Sequence, residues 1–397
     1  MKDPSTRFLV IQSFLELKSK PGSTPKPPSI LEDFRERSLF TQLLQGLVRY
    51  DRLLEEEIKR RLLRNKKLQK SVSAILKLGI FELLFMEKIP ARASLHQAGW
   101  LAERFRVKAA KPMINGILRK LLEELDQGYD PKMTHSFEIY QSFPSWMLER
   151  WKTQYGEHQA LELCQFSNQF QGVHLLLHDP EKQNLVLSEF SDLSFAYEPH
   201  AVIPRMFVLH DGKGFMKTKA FQKGWISVID PASVLFMLWA APFFQGKVMD
   251  VCAAPGGKSL MIAALDKVDS LCLNDVSRHR IKRIQQTIHR TSKWTASEKT
   301  LLKHLELQRQ LLDEGARILK PGGTLIYSTC SLEEEENQNQ VESFLARHTG
   351  FFMKKRPSDS AFFELDDWTN EDHSFFQILT GSKWGGFFGA AISCDHA

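Results

Sequence analysis

Apolar residues recur at helical spacing through the first third of the chain. The pairs Leu43-Leu44, Leu47-Val48 and Leu53-Leu54 follow this spacing, with basic residues between them. The pattern predicts a bundle of amphipathic helices from about residue 34 to residue 122. A stretch at 20–30, which contains four prolines and a glycine, separates an earlier helix from this bundle.

The second half of the chain alternates short strand-like runs with helical stretches. Val248-Met249 precede a loop that contains two glycines, 250–258, and the apolar stretch 260–265 follows it. Further strands are predicted at 270–275 and 324–327. The order strand, glycine loop, helix is typical of an α/β sheet that binds a nucleotide-like ligand, because glycine lets backbone N–H groups approach the ligand closely.

Composition limits the class of protein. The 397 residues suffice for two or three domains, and 43% of them are apolar, as in ordinary globular proteins. No window approaches the roughly 18 uninterrupted apolar residues of a membrane span, so we expect a cytoplasmic protein with no membrane partner. The five cysteines are scattered and include no Cys-x-x-Cys pair, which argues against a disulfide framework and against a metal site.

Positive charge is concentrated near the N-terminus. Residues 1–130 contain 25 Lys and Arg against 16 Asp and Glu, a net charge of +9 in a chain whose total is +6. Such a distribution indicates a polyanion partner, and RNA is the obvious candidate. Solvated helix surfaces would give the same pattern and remain the alternative. The densest cluster contains Arg60, Arg61, Arg64, Lys66 and Lys67.

Two motifs in the second half resemble those of a known family. Cys-Ala-Ala-Pro-Gly-Gly-Lys at 252–258 and Ser-Thr-Cys-Ser at 328–331 are similar to the RsmB-type RNA (cytosine-5) methyltransferases. Residues 75–84, Ile89-Pro90 and 114–119 resemble, in order and spacing, the NusB-like RNA-binding domain of that family. The fold implied is an all-α NusB-like domain followed by an α/β Rossmann-like methyltransferase domain, and the implied partner is small-subunit (16S) rRNA.

The resemblance implies S-adenosyl-L-methionine as cofactor. Asp275 ends the second predicted strand 18 residues after Gly257, where a carboxylate can bind ribose hydroxyls. Its alternative role is to cap the following helix. A nicotinamide enzyme is the rival class, but its Gly-x-Gly-x-x-Gly pattern is absent from the loop. The residues that match the family's cofactor site are Cys252, Ala253, Ala254, Pro255, Gly256, Gly257, Lys258 and Asp275.

Cys330 matches the nucleophile of the family's Thr-Cys-Ser motif. Carbon 5 of cytosine is too weak a nucleophile to accept a methyl group unaided, and a thiolate that adds to carbon 6 activates it. The alternative is a small buried hydrophobic residue, which is the commonest role of an intracellular cysteine. We expect the carboxylates of Glu333–Glu336 to stabilise a helix start, with Ser331 and Glu334 as a capping box, and assign them no catalytic role.

The methyltransferase part is shorter than the family pattern requires. Only the 45 residues 276–320 separate Asp275 from Pro321, and their pattern predicts two helices, at 277–289 and 296–319. Two further strands with their helices belong in this interval, and each βαβ unit takes roughly 30 residues or more. The missing part would carry the family's Asp-x-Pro-Cys loop. We therefore predict a shortened sheet with a gap at its centre.

The sequence predicts three parts and leaves three interpretations open. The parts are a NusB-like helical domain at 1–127, a small mixed α/β segment at 128–228 and a shortened methyltransferase domain at 229–397. The chain is an active RNA (cytosine-5) methyltransferase, a non-catalytic RNA-binding relative, or an internally deleted, inactive product of such an enzyme. Methylation through a Cys330 adduct is the working hypothesis.

Overall fold

The computed structural model describes residues 5–19, 28, 30–31, 33–62, 67–169, 172–212, 214–254, 256–275, 298–357, 368–370, 374–378 and 386–394. Described residues up to Asn168, with Glu298–Leu301, belong to one compact unit, and those from Gln169 to Asp275 and from Leu302 onward belong to a second. The boundary at Asn168 falls inside the predicted mixed segment, 128–228. The division into three parts stays a prediction.

The first unit is helical, as the spacing of its apolar residues predicted. Its larger helices bury one face each in a common core, in which Leu47, Ile75 and Ile114 have no exposed surface. Asp33 caps the second helix by accepting a hydrogen bond from the backbone N–H of Arg35. The helices are α1 Thr6–Ser19, α2 Phe34–Arg49, α3 Asp51–Arg61, α4 Lys70–Phe85, α5 Ala91–Arg104, α6 Lys111–Asp126, α7 Pro131–Thr134, α8 Phe137–Gln141, α9 Ser145–Tyr155 and α10 Glu157–Asn168.

One member of the predicted basic cluster is not available to RNA. Arg61 is buried and forms ion pairs with Glu57, at 2.7 Å, and with Glu124. Burial alone would raise the pKa of Glu57, but hydrogen bonds from Tyr129 and His135 and the charge of Arg61 hold it below its ordinary value. Arg61 therefore stabilises the packing of α3 against α6.

The rest of the cluster is partly described. Arg60 and Lys67 are exposed, and the guanidinium of Arg60 lies 4.4 Å from the centre of the Tyr129 ring. Arg64 and Lys66 lie outside the described residues. RNA contact through Arg60 and Lys67 stays a prediction.

The second unit begins with a small antiparallel sheet. In the order in which they pair, its strands are β2 (Tyr197–Pro199), β3 (Met206–Leu209), β1 (Val173–Leu177) and β4 (Ile226–Val228), and a register that pairs Val173 with Leu209 joins the two central strands. The buried Leu175 and Leu177 of β1 pack against Phe190. The elements are β1 Val173–Leu177, α11 Gln183–Asp192, β2 Tyr197–Pro199, β3 Met206–Leu209, α12 Lys219–Gln222 and β4 Ile226–Val228.

The α/β part follows, with strands where the sequence predicted them. The second helix predicted in the short interval, at 296–319, corresponds to α15, whereas the first, at 277–289, lies outside the described residues. The elements are α13 Pro231–Ala240, β5 Gly246–Asp250, α14 Gly257–Ala263, β6 Val268–Leu273, α15 Glu298–Ile318, β7 Thr324–Thr329, α16 Gln338–Arg347, β8 Phe351–Met353, β9 Phe375–Ile378 and β10 Phe387–Cys394.

Among the described residues the sheet of the α/β part is in two pieces, and its shortening stays a prediction. β5 and β6 form a parallel pair, while β10 pairs with β7 on one edge and with β8 and β9 on the other. Among the described strands no ladder joins β5 to β7. Apolar side chains of β5, β6, the glycine loop and α14 are exposed: Met249 by 47%, Leu273 by 45%, Val251 by 38% and Leu260 by 47%. The described strands therefore leave backbone edges of β5 and β7 without a pairing strand between them.

Helix α13 holds the two pieces on one core. Its side chains pack against residues of α14, β9 and β10, and Phe236 contacts the rings of Phe376 and Phe387. Among the described residues, no helix is both long and apolar enough to cross a membrane, and no group of three metal-ligating side chains is present.

Gly389 marks the tightest contact in this core. A Cβ atom at position 389 would lie 2.0 Å from a ring carbon of Phe236, which is itself buried among other aromatic rings. We expect Gly389→Ala to lower the free energy of unfolding by about 1–3 kcal/mol or more, because the ring cannot move away.

Chemical denaturation with a fluorescence readout measures this effect. Gly350→Ala is the matched control, because no atom lies within 4 Å of the added Cβ. Equal midpoints for the two variants would show that the contact between α13 and β10 is not tight.

Candidate functional site

The glycine loop is anchored by two aspartates. Asp250, the last residue of β5, accepts hydrogen bonds from the backbone N–H of Cys252, at 3.1 Å, and from the hydroxyl of Ser259, at 2.6 Å. Asp275, just beyond β6, accepts one from the N–H of Ala254, at 3.3 Å. The loop is therefore fixed to the ends of both strands of the pair.

Backbone conformation explains the glycines. Gly256 precedes α14 with φ of +104°, a region that favours glycine. Gly257 begins the helix, and a Cβ there would lie 3.2 Å from Ile229. Because Gly256 and Gly257 carry no side chain, a ligand could approach the backbone of the loop closely, as binding of the predicted cofactor requires.

The other predicted cofactor residues differ in exposure. Cys252 is exposed, Ala253 is buried and Ala254 is half-buried, while Pro255 lies outside the described residues. The ammonium group of Lys258 lies 5.6 Å from the centre of the Phe387 ring, which brings the loop helix to the start of β10. The structure brings the loop and Asp275 together, and their role in binding the cofactor stays a prediction.

Asp250 was not assigned a role from the sequence. Its position at the end of a strand, two residues before Cys252, is the signal that could have identified it as a loop anchor. Asp275 contacts the loop, and its alternative role as a helix cap concerns residues outside the described ones.

Asp250→Ala is expected to weaken S-adenosylmethionine binding about tenfold or more, because the loop loses two hydrogen bonds, each worth about 1 kcal/mol. Isothermal titration calorimetry measures the dissociation constant. Asp266→Ala, an exposed carboxylate in the turn before β6, is the control that should leave it unchanged. An unchanged constant for Asp250→Ala would contradict the anchoring role.

Cys330 follows the last residue of β7, and its side chain is exposed. It is therefore not the small buried residue of the alternative interpretation. Around it, the hydroxyl of Thr329 donates to the Asn337 side chain, whose amide donates to the backbone carbonyl of Ser331, at 3.1 Å. Cys330 is held on the β7–β10 piece of the sheet, and the loop on the β5–β6 piece.

The capping box predicted after Cys330 is not formed. The hydroxyl of Ser331 donates to the carboxylate of Glu336 and accepts from the N–H of Glu333, at 3.2 Å. A short 3-10 turn spans Glu334–Glu336, and α16 begins only at Gln338. The prediction paired Ser331 with Glu334 from spacing alone, whereas the turn places Glu336 within reach.

The glycine loop on a parallel strand pair, preceded in sequence by a helical unit, is typical of an α/β methyltransferase class of protein. Residues 16–123 match the NusB family, and residues 237–292 and 289–392 match the family described as 16S rRNA methyltransferase RsmB/F. The chain therefore combines a NusB domain with an RsmB/F methyltransferase domain, and S-adenosylmethionine is its methyl donor. By resemblance it is an RNA methyltransferase that acts in rRNA processing.

Curated relatives cover most of the chain. The probable ribosomal RNA small subunit methyltransferase B of Bacillus subtilis is 25% identical over 88% of this chain and 90% of its own length. The ribosomal RNA small subunit methyltransferase B of Shewanella oneidensis is 26% identical over 81% of this chain and 84% of its own. Both names fit rRNA methylation.

Solved structures share the fold. The crystal structure of PH0851 superposes with a TM-score of 0.67 and 20% identity over 99% of both chains. The crystal structure of NSun6 from Pyrococcus horikoshii with SFG gives 0.53 and 15% identity over 65% of this chain and all of that one.

The comparisons also bear on the predicted shortening. The alignment with the Bacillus relative has 415 positions but uses 88% of the 397 residues here, about 349, so about 66 positions have no residue in this chain. The RsmB/F match is in two pieces that meet at 289–292, inside the short interval. The unmatched alignment positions and the two-piece sheet of the described residues are therefore both consistent with a shortened methyltransferase part.

Proposed function

We propose that the chain methylates carbon 5 of a cytosine in small-subunit rRNA, with Cys330 as the nucleophile. The observation that carries the proposal is the exposed thiol of Cys330 at the end of β7, held between two residues that bind Asn337. The basic N-terminal region supports RNA as the partner.

The thiolate of Cys330 would add to carbon 6 of cytosine, and the electron pair would move to carbon 5, which would take the methyl group as its bond to sulfur breaks and S-adenosylhomocysteine leaves. A base would then remove the proton from carbon 5, which expels the thiolate and restores the aromatic ring. S-adenosylmethionine supplies the methyl group as an electrophile. The glycine loop and Asp275 would hold it, and Cys330 requires a cytosine rotated out of its stack so that the ring faces are accessible.

A second candidate is favoured by the split sheet. The missing strands would carry the family's Asp-x-Pro-Cys loop, and the described residues leave β5 and β7 unjoined. A chain of this kind would bind RNA through its helical unit without catalysis, or would be the deleted product of an active gene. Sequencing the coding region around Thr291 separates the last two: extra codons for roughly 30 residues or more would identify a deletion.

Transfer of labelled methyl groups to unmodified small-subunit rRNA tests the proposal. The RNA is digested to nucleosides after the reaction, and we expect label only in 5-methylcytidine. Label in another nucleoside would contradict methylation at carbon 5. No label from a folded preparation that still retards rRNA on a gel would favour the non-catalytic candidate.

A further inference from the structure

We infer that Asn337 is a positioning residue that sets the orientation of the Cys330 thiol. This inference rests on the proposed role of Cys330 as nucleophile. It concerns the turn formed by Thr329, Cys330 and Ser331, which we call the thiol turn. A nucleophile must be held near the attacking geometry, since a displacement of about 1 Å can lower a rate by about 100-fold.

The side chain of Asn337 binds both neighbours of Cys330. Its carbonyl oxygen accepts a hydrogen bond from the Thr329 hydroxyl, and its amide group donates to the backbone carbonyl of Ser331. Thr329 also accepts from the N–H of Ser331, at 3.2 Å. One side chain thus holds the Thr329 side chain before the thiol and the Ser331 backbone after it, while the thiol itself stays exposed.

Asn337 is suited to this role by its burial. It is only 2% exposed, so water competes weakly for its hydrogen bonds. An amide suits this position, because its oxygen accepts from the Thr329 hydroxyl while its nitrogen donates to the carbonyl of Ser331. Neither a carboxylate nor an alkyl side chain offers both.

A second contact supports the thiol turn from outside. The carboxylate of Glu336 accepts from the hydroxyl of Ser331 and from the side-chain amide of Gln308 in α15, at 2.9 Å. The phenol of Tyr327 donates to the backbone carbonyl of Glu336, at 2.6 Å. Burial, with the charge of Glu336, raises the pKa of Tyr327, which keeps this phenol a hydrogen-bond donor. The thiol turn is therefore connected to β7 and to α15.

Thr329→Val and Thr329→Ser are the variants that test the inference. Valine has nearly the shape of threonine but removes the hydroxyl, which donates to Asn337 and accepts from the N–H of Ser331, whereas serine keeps both hydrogen bonds. Both changes leave the buried Asn337 in place, which avoids the folding defect that Asn337→Ala could cause. Asn337→Asp removes only the amide that donates to the carbonyl of Ser331 and should give the same loss as Thr329→Val if Asn337 holds the thiol turn.

The first readout needs no methyl transfer. A nitroxide label is attached to Cys330 in a chain whose other accessible cysteines, Cys252, Cys272 and Cys394, are replaced by serine. We expect a slow-motion component in the spectrum with threonine or serine at position 329, and its loss with valine. Equal spectra for the three proteins, or loss in Thr329→Ser as well, would overturn the inference.

The second readout is single-turnover methyl transfer to unmodified small-subunit rRNA. We expect Thr329→Val to lower the rate about 10- to 100-fold with an unchanged KM for RNA, and Thr329→Ser to restore it. An unchanged rate in Thr329→Val would overturn the inference. If the unsubstituted chain transfers no methyl group, the proposed function has failed, and the spectra alone decide whether Asn337 holds the thiol turn.

Discussion

Replacing Cys330 by alanine is expected to lower methyl transfer to rRNA by about 1000-fold or more, because removal of a covalent nucleophile eliminates the addition step itself. A loss of this size corresponds to about 4 kcal/mol of transition-state stabilisation. S-adenosylmethionine affinity should stay unchanged, since the glycine loop is anchored by Asp250 and Asp275 and not by β7. The measurement is single-turnover transfer of labelled methyl groups.

Cys272→Ala is the matched control, because Cys272 is also an exposed thiol at a strand position but belongs to β6. It should retain full activity. RNA that contains 5-fluorocytosine gives an independent check: fluorine at carbon 5 blocks proton loss, so the adduct accumulates as a complex that survives denaturing electrophoresis. A complex that still forms with Cys330→Ala would assign the nucleophile to another residue.

Insertion between Thr291 and Ser292 of the residues that the Bacillus subtilis relative has at this point, which we expect to form a strand, a helix and a strand, should stabilise the second unit. Four apolar side chains, Met249, Val251, Leu260 and Leu273, are each about half exposed. Covering them would contribute on the order of 3–5 kcal/mol to the free energy of unfolding. New strands would also pair the open backbone edges of β5 and β7.

Denaturant titration of the second unit measures the change. An insert of equal length made of glycine and serine at the same point is the control, and it should give no gain, since a flexible loop buries nothing. Equal stability of the two inserted proteins would show that the gap between β5 and β7 does not accept the family's strands. A gain accompanied by higher methyl-transfer activity would identify the present chain as a deleted form.

The sequence predicted the parts of this protein that depend on local pattern. Helical spacing alone located the bundle around Leu47 and Ile75, because periodic burial is a property of each helix by itself. The glycine loop was recognisable because only glycine adopts the φ of Gly256 at no cost. Counting the 45 residues after Asp275 was enough to predict a shortened sheet.

Tertiary structure decided which polar groups meet. The sequence placed Arg61 in a basic surface cluster, but the structure buries it in an ion pair with Glu124, which is 63 positions further along the chain. Ser331 forms its side-chain hydrogen bond with Glu336 and not with Glu334. The side chain of Asn337 forms hydrogen bonds with Thr329 and Ser331, the two neighbours of Cys330. Such partners follow from how elements pack and how a turn closes, and the free energy of each depends on burial that no local pattern encodes.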